Sequence, residues 1–201
     1  DVLVAIVSIL IYVTFDHFDG LQAKVSQTSS PLGEILDHFS DVFNGAIVVY
    51  LCFRVLQVEL NWIFHTAIWF NYLAFAVTYV EQSIRKELYF GKIGSLEGVI
   101  LILAVMISCI STTGISYWHE QTFALFPNYM VLFFCLFVGC VYTLSGSFKR
   151  IGFLPKDFTI FFISGSLLFL MCFYYRFSWE LPLLVLTAYS SEYILKAMHT
   201  Y

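Results

Sequence analysis

Apolar runs approaching or exceeding the roughly 18 to 20 residues that cross a bilayer as helix recur along the whole chain. Cutting at polar clusters and at Gly or Pro gives seven spans, at about 1–15, 35–56, 61–80, 94–112, 123–146, 157–175 and 179–198. No repeat, low-complexity linker or domain boundary interrupts them. The pattern predicts an all-α, polytopic membrane bundle, with residues 1–201 as one transmembrane domain. The opening span is the short one: about fifteen apolar residues precede Asp16, and at 1.5 Å each they fall below a roughly 30 Å hydrocarbon core. With Asp1 as first residue, we expect a part of a longer chain. The stretch has neither the basic start nor the small-residue cleavage site of a signal peptide.

Composition agrees. The chain is 60% hydrophobic and 19% aromatic, with 12% charged residues, against the roughly 25% of a soluble domain. A net charge of −4 offers no basic patch and excludes nucleic acid as partner. The five cysteines fall inside apolar runs without a CxxC pair and read as small core residues.

If every span crosses, one side receives Lys24, Arg85, Lys86, Lys92, Lys149, Arg150, Lys156 and Lys196, and the other only Arg54 and Arg176. Eight against two is a positive-inside bias that sets the first loop toward the cytoplasm.

That loop carries the chemistry. In FDHFDGLQAKVSQTSSPLGEILDHFSD, Asp16 and Asp19 are three apart, and Asp37 and Asp41 are four apart; each spacing puts a pair on one helix face. Two antiparallel helices then pool four carboxylates at a membrane boundary, where mutual repulsion and lost hydration call for divalent cations. Oxygen-only ligands favour two Mg²⁺ or Mn²⁺ ions, which suit a diphosphate. Gly20 and Ala23 are small enough to admit a ligand to the backbone, and Lys24 can meet a phosphate oxygen. Ser30 and Pro31 fit the N-cap and first position of the next helix, and Gly33 leaves space one turn before Asp37.

The stretch resembles the motif of the CDP-alcohol phosphatidyltransferase family, D-x2-D-G-x2-A-R-x8-G-x3-D-x3-D, at Asp16, Asp19, Gly20, Ala23, Lys24, Gly33, Asp37 and Asp41. SSPLGE followed by LDH is similar to the eukaryotic choline and ethanolamine phosphotransferases, and Glu81 with the following LYFGKIGSLE is a weaker likeness to the same branch. The resemblance implies transfer of phosphocholine or phosphoethanolamine from CDP-choline or CDP-ethanolamine to diacylglycerol, with CMP leaving. It implies metal ligation by Asp16, Asp19, Asp37 and Asp41, and CDP against Gly20 and Lys24. It further implies an endoplasmic reticulum address, with Golgi and mitochondrial membranes left open. His38 is the implied general base, with Asp41 as the family's other candidate and Glu81 raising the basicity of His38. Span two starts and span three ends on the same face, so His38 and Glu81 can meet.

The chain departs from the pattern where Lys24 replaces arginine, Leu21 replaces the branch's lysine, and Phe39-Ser40 replaces Gly-Cys. Two alternatives therefore stay open: a ceramide-accepting relative, and a non-catalytic member serving as a subunit of a membrane complex. A homodimer is also left open. Glu97 and Asn44 read as helix-start and helix-contact residues that can also face a ligand.

Overall fold

A computed structural model describes residues 2–28, 30–87, 89, 95–121, 126–175 and 177–200. These form eight helices: α1 (Val2–Val25), α2 (Pro31–Val55), α3 (Trp62–Arg85), α4 (Ser95–Ser108), α5 (Thr112–His119), α6 (Tyr129–Ile151), α7 (Lys156–Tyr174) and α8 (Glu180–Thr200). The all-helical membrane architecture is the one expected. Five helices, α1, α2, α3, α6 and α7, are long and apolar enough to cross a bilayer, and a sixth span results if α4 and α5 count together.

Three of the seven expected spans need correction. The run at 94–112 is broken: α4 and α5 meet at 115°, after a Ser- and Thr-rich turn. Gly114 makes that bend feasible, since a Cβ there would lie 1.7 Å from the Ser108 carbonyl oxygen. The last expected span becomes α8, whose Thr187, Ser190, Ser191, Glu192 and Lys196 lower its apolarity. It buries Thr187, Ser190 and Ser191, and Thr187 shares a short hydrogen bond with Tyr72 of α3.

The opening span also changes. α1 does not stop before Asp16 but runs 24 residues through both aspartates, a rise of about 36 Å. Helical backbone satisfies its own hydrogen bonds, so two carboxylates need not end it when a polar pocket receives them.

α3 is the axis of the bundle, packed by α2, α6, α7 and α8. Around it lies the larger apolar core, with Phe64, Ile68, Trp69, Tyr72 and Val77 of α3 against Val42 of α2, Phe161 of α7 and Leu186 of α8. Gly165 sets the approach of α7: a Cβ there would lie 2.1 Å from the Trp69 indole. A second cluster joins Ala5, Ile6 and Ile9 of α1 to Val48 and Cys52 of α2 and Val105 and Met106 of α4.

The helix ends define one functional end of the molecule. Ser30 caps α2, its hydroxyl accepting from the Gly33 amide at 3.1 Å, and Pro31 takes the first position as expected. Gln82 near the end of α3 donates to Glu34 in the first turn of α2 at 2.9 Å. Arg85 donates to the Arg150 carbonyl, which brings the end of α6 alongside.

Candidate functional site

Asp16 and Asp19 of α1 and Asp37 of α2 line a single open pocket of about 350 Å³. Gly33, Ser40, Asn44 and Tyr12 share its wall. The three- and four-residue spacings produce this convergence, because each aspartate pair occupies one face of its helix and the two faces oppose. Asp16 lies within electrostatic reach of Asp19, Asp37 and Asp41.

Asp41 is held from two sides. Tyr12 of α1 donates its phenol to Oδ1 and Tyr79 of α3 donates to Oδ2, each at 3.0 Å. One carboxylate thus ties three helices together, with each oxygen assigned to its own donor. One ligand atom apiece from Asp37, His38 and Asp41 falls within 4.8 Å of the others, a grouping compact enough for an ion.

His38 is buried, 5% exposed, and follows the pocket-lining Asp37 on α2. Neither ring nitrogen has a hydrogen-bond partner among the described residues. Carboxylate oxygens of Glu34 and Asp37 stand off at 3.8 Å from Nε2 and Nδ1 respectively, beyond hydrogen-bond range. The ring instead rests on Tyr79, with centroids 4.3 Å apart.

The structure does not join His38 to Glu81. Glu81 is 1% exposed, and Arg150 of α6 claims both its oxygens, Nε to Oε1 at 2.5 Å and Nη2 to Oε2 at 2.8 Å. Arg150 is itself fixed by Ser147 at 3.3 Å and by the Tyr89 ring, 4.1 Å from its guanidinium carbon. A fork of this kind engages each carboxylate oxygen once and fixes the orientation of the group.

The small residues divide. A Cβ at Gly20 would meet nothing within 4 Å, so this part of α1 stays open to an approaching ligand. Gly33 is different: its Cβ would come within 3.2 Å of the Ser30 hydroxyl, so its bareness protects the helix cap as well as the pocket. Ala23 and Lys24 occupy the last turns of α1, with Lys24 exposed.

Tyr12, Tyr79 and Arg150 escaped the sequence reading. Tyr12 carried a signal, since it precedes Asp16 by four and so shares its face. Tyr79 carried a weaker one, two residues before Glu81 near the end of α3.

With this geometry in place, likeness to known proteins becomes informative. The description of one family, CDP-alcohol phosphatidyltransferase, matches residues 1–143. The chain belongs to that family. An uncharacterized class-I CDP-alcohol phosphatidyltransferase family protein of Schizosaccharomyces pombe is 29% identical over 113 residues, 56% of this chain and 29% of its own. Family protein 1 of Dictyostelium discoideum is 31% identical over 146 residues, 70% of this chain and 38% of its own. Cholinephosphotransferase 1 of Gallus gallus is 33% identical over 104 residues, 49% of this chain and 30% of its own. The chain therefore spans between 29% and 38% of the length of these relatives. Every aspartate of the CDP-alcohol phosphatidyltransferase motif, with Tyr12, His38, Tyr79 and Glu81, lies inside the matched stretch. Arg150 lies outside it.

Proposed function

We propose that this chain carries the reaction centre of a membrane phosphotransferase that moves phosphocholine or phosphoethanolamine from a CDP-alcohol to the hydroxyl of diacylglycerol, releasing CMP. The observation that carries the reading is the opposition of Asp16, Asp19 and Asp37 across one pocket, with Asp41 oriented behind them and His38 beside them.

The donor set fits a pair of hard divalent cations. It is made of carboxylate oxygens, from Asp16 and Asp19 on α1 and Asp37 on α2, near enough to repel one another. Asp16, Asp19, Asp37 and Asp41 would hold Mg²⁺ or Mn²⁺. When bound, such ions neutralise charge on a diphosphate and on the leaving phosphate.

The remaining roles fall to protein groups. Gly20 leaves the backbone of α1 accessible to the nucleotide, and Lys24, one turn on, offers a single positive charge to a phosphate oxygen. As the acceptor hydroxyl attacks phosphorus its proton must leave, and His38 has two ring nitrogens without protein partners to receive it. Phe15 and Leu36, 69% and 56% exposed, flank the carboxylates and give the pocket an apolar side suited to a lipid acceptor. We place the protein in the endoplasmic reticulum membrane with this pocket toward the cytoplasm.

One observation favours a second reading. Glu81, the implied partner of His38, is taken by Arg150, and that departure suits a non-catalytic subunit of a membrane complex. Incubating the full-length protein in lipid nanodiscs with CDP-choline or CDP-ethanolamine, diacylglycerol and Mg²⁺ separates the two. CMP release that Asp37→Asn abolishes is the expected result. No CMP from either donor, with diacylglycerol or ceramide as acceptor and with Mg²⁺ or Mn²⁺, overturns the proposal.

A further inference from the structure

We infer that Tyr79 is the positioning residue of this centre, fixing His38 through its ring and Asp41 through its hydroxyl, and that it takes over the orienting task the resemblance assigns to Glu81. The inference rests on the phosphotransferase reading for its catalytic meaning, but its geometry stands independently.

A base must be held as well as present, because a buried imidazole free to rotate spends little time aimed at its proton. The usual device is a hydrogen bond from a second group to one ring nitrogen, and His38 has none among the described residues. Its nearest carboxylates, 3.8 Å away, come from the exposed Glu34 and from the expected metal ligand Asp37. Glu81 does not hold it here: Arg150 engages both of its oxygens, and neither His38 nitrogen bonds to it. The Tyr79 ring remains, 4.3 Å from the imidazole and inclined at 38°.

Tyr79 can do this because it is itself fixed. It is 4% exposed, lies parallel to Phe75 one turn earlier at 6.0 Å, and ends in a 3.0 Å hydrogen bond to Asp41. Two residues further along α3, the Arg150 fork binds the helix to α6. The hydroxyl and the ring therefore perform separable tasks. Removing only the hydroxyl frees Asp41 Oδ2, whereas removing the ring also releases His38.

Three variants separate these tasks in the full-length protein in nanodiscs: Tyr79→Phe, Tyr79→Leu and, as a control on the α3 end, the paired replacement Glu81→Met/Arg150→Met. Three quantities are read: Mn²⁺ affinity by electron paramagnetic resonance with Mn²⁺ alone, kcat and KM for CMP release, and the His38 ring resonances in ¹³C-histidine-labelled protein. We expect Tyr79→Phe to weaken Mn²⁺ binding by about tenfold, as loss of a group supporting a metal ligand does, and to leave the His38 resonances near wild type. Tyr79→Leu should shift those resonances as the ring current is lost, and lower kcat by a further factor of about 100 with KM for the CDP-alcohol unchanged. Glu81→Met/Arg150→Met, which removes both charges together, should move neither His38 nor KM.

Equal kcat losses in Tyr79→Phe and Tyr79→Leu, or a His38 signal indifferent to Tyr79→Leu, overturn the inference. So does a His38 signal that follows Glu81→Met/Arg150→Met instead. If Tyr79→Leu does not fold, Tyr79→Phe decides through Mn²⁺ affinity, and unchanged affinity counts against the claim. A wild-type protein that releases no CMP defeats the phosphotransferase reading alone, since the ring-current shift still reports whether Tyr79 holds His38.

Discussion

Arg150 and Glu81 form a two-pronged ion pair between α6 and α3, at 2.5 and 2.8 Å, with the Glu81 side chain 2% exposed. A carboxylate so enclosed has no solvent to fall back on when its partner goes. Arg150→Ala should therefore destabilise the protein by about 3–5 kcal/mol, while the double variant Glu81→Met/Arg150→Met should recover most of the loss. Melting of detergent-purified protein checks this; a double variant no better than Arg150→Ala would show that the pair matters for more than mutual neutralisation.

His38, which has no hydrogen bond among the described residues, packs against the Tyr79 ring. His38→Ala should lower the rate of CMP release by about 10²- to 10⁴-fold, the usual contribution of a general base, with the melting temperature nearly unchanged. Wild-type turnover in this variant would remove His38 from the chemistry.

Gly20 and Gly165 make an instructive pair. Gly20→Ala adds a methyl to open space inside a helix and should raise stability by about 0.5–1 kcal/mol. If the nucleotide lies against this backbone, KM for the CDP-alcohol rises in the same variant. A KM equal to wild type would place the nucleotide elsewhere.

Gly165→Ala asks for room that is absent. The new methyl collides with the Trp69 indole at 2.1 Å, so α7 and α3 must separate or the indole must turn, at a cost of about 1–3 kcal/mol. Adding Trp69→Phe should restore part of the stability. The measurement is again the melting temperature, and an additive double variant would contradict the contact.

The parts of the site carried by local spacing were legible in the sequence. Asp16 with Asp19, Asp37 with Asp41, and the Ser30 cap each depend on neighbours within one turn; Asp16, Asp19 and Asp37 line one pocket, Asp41 is turned to Tyr12 and Tyr79, and Ser30 caps α2. Contacts between distant segments were not legible. Glu81 and Arg150 are 69 residues apart, and no local rule marks one of ten basic residues as its partner. Tyr12 and Tyr79 were hidden differently: among 13 tyrosines in an aromatic-rich chain, two phenols bound to one aspartate do not stand out. The break between α4 and α5 had a visible cue in Ser108, Ser111, Thr112, Thr113 and Gly114, yet the surrounding apolar residues read as one continuous crossing. The apolar run of the first span stops at Asp16, but the helix continues through Asp16 and Asp19, whose side chains a polar pocket receives.

Phe15 and Leu36 border the carboxylates with exposed apolar side chains. On the proposed function, a lipid acceptor that enters between them travels within the bilayer, so its supply is counted as mole fraction in the lipid and not as molarity. Thinning the acceptor with inert lipid at constant bulk amount would slow such a reaction, whereas diluting the whole suspension would leave its interfacial step untouched.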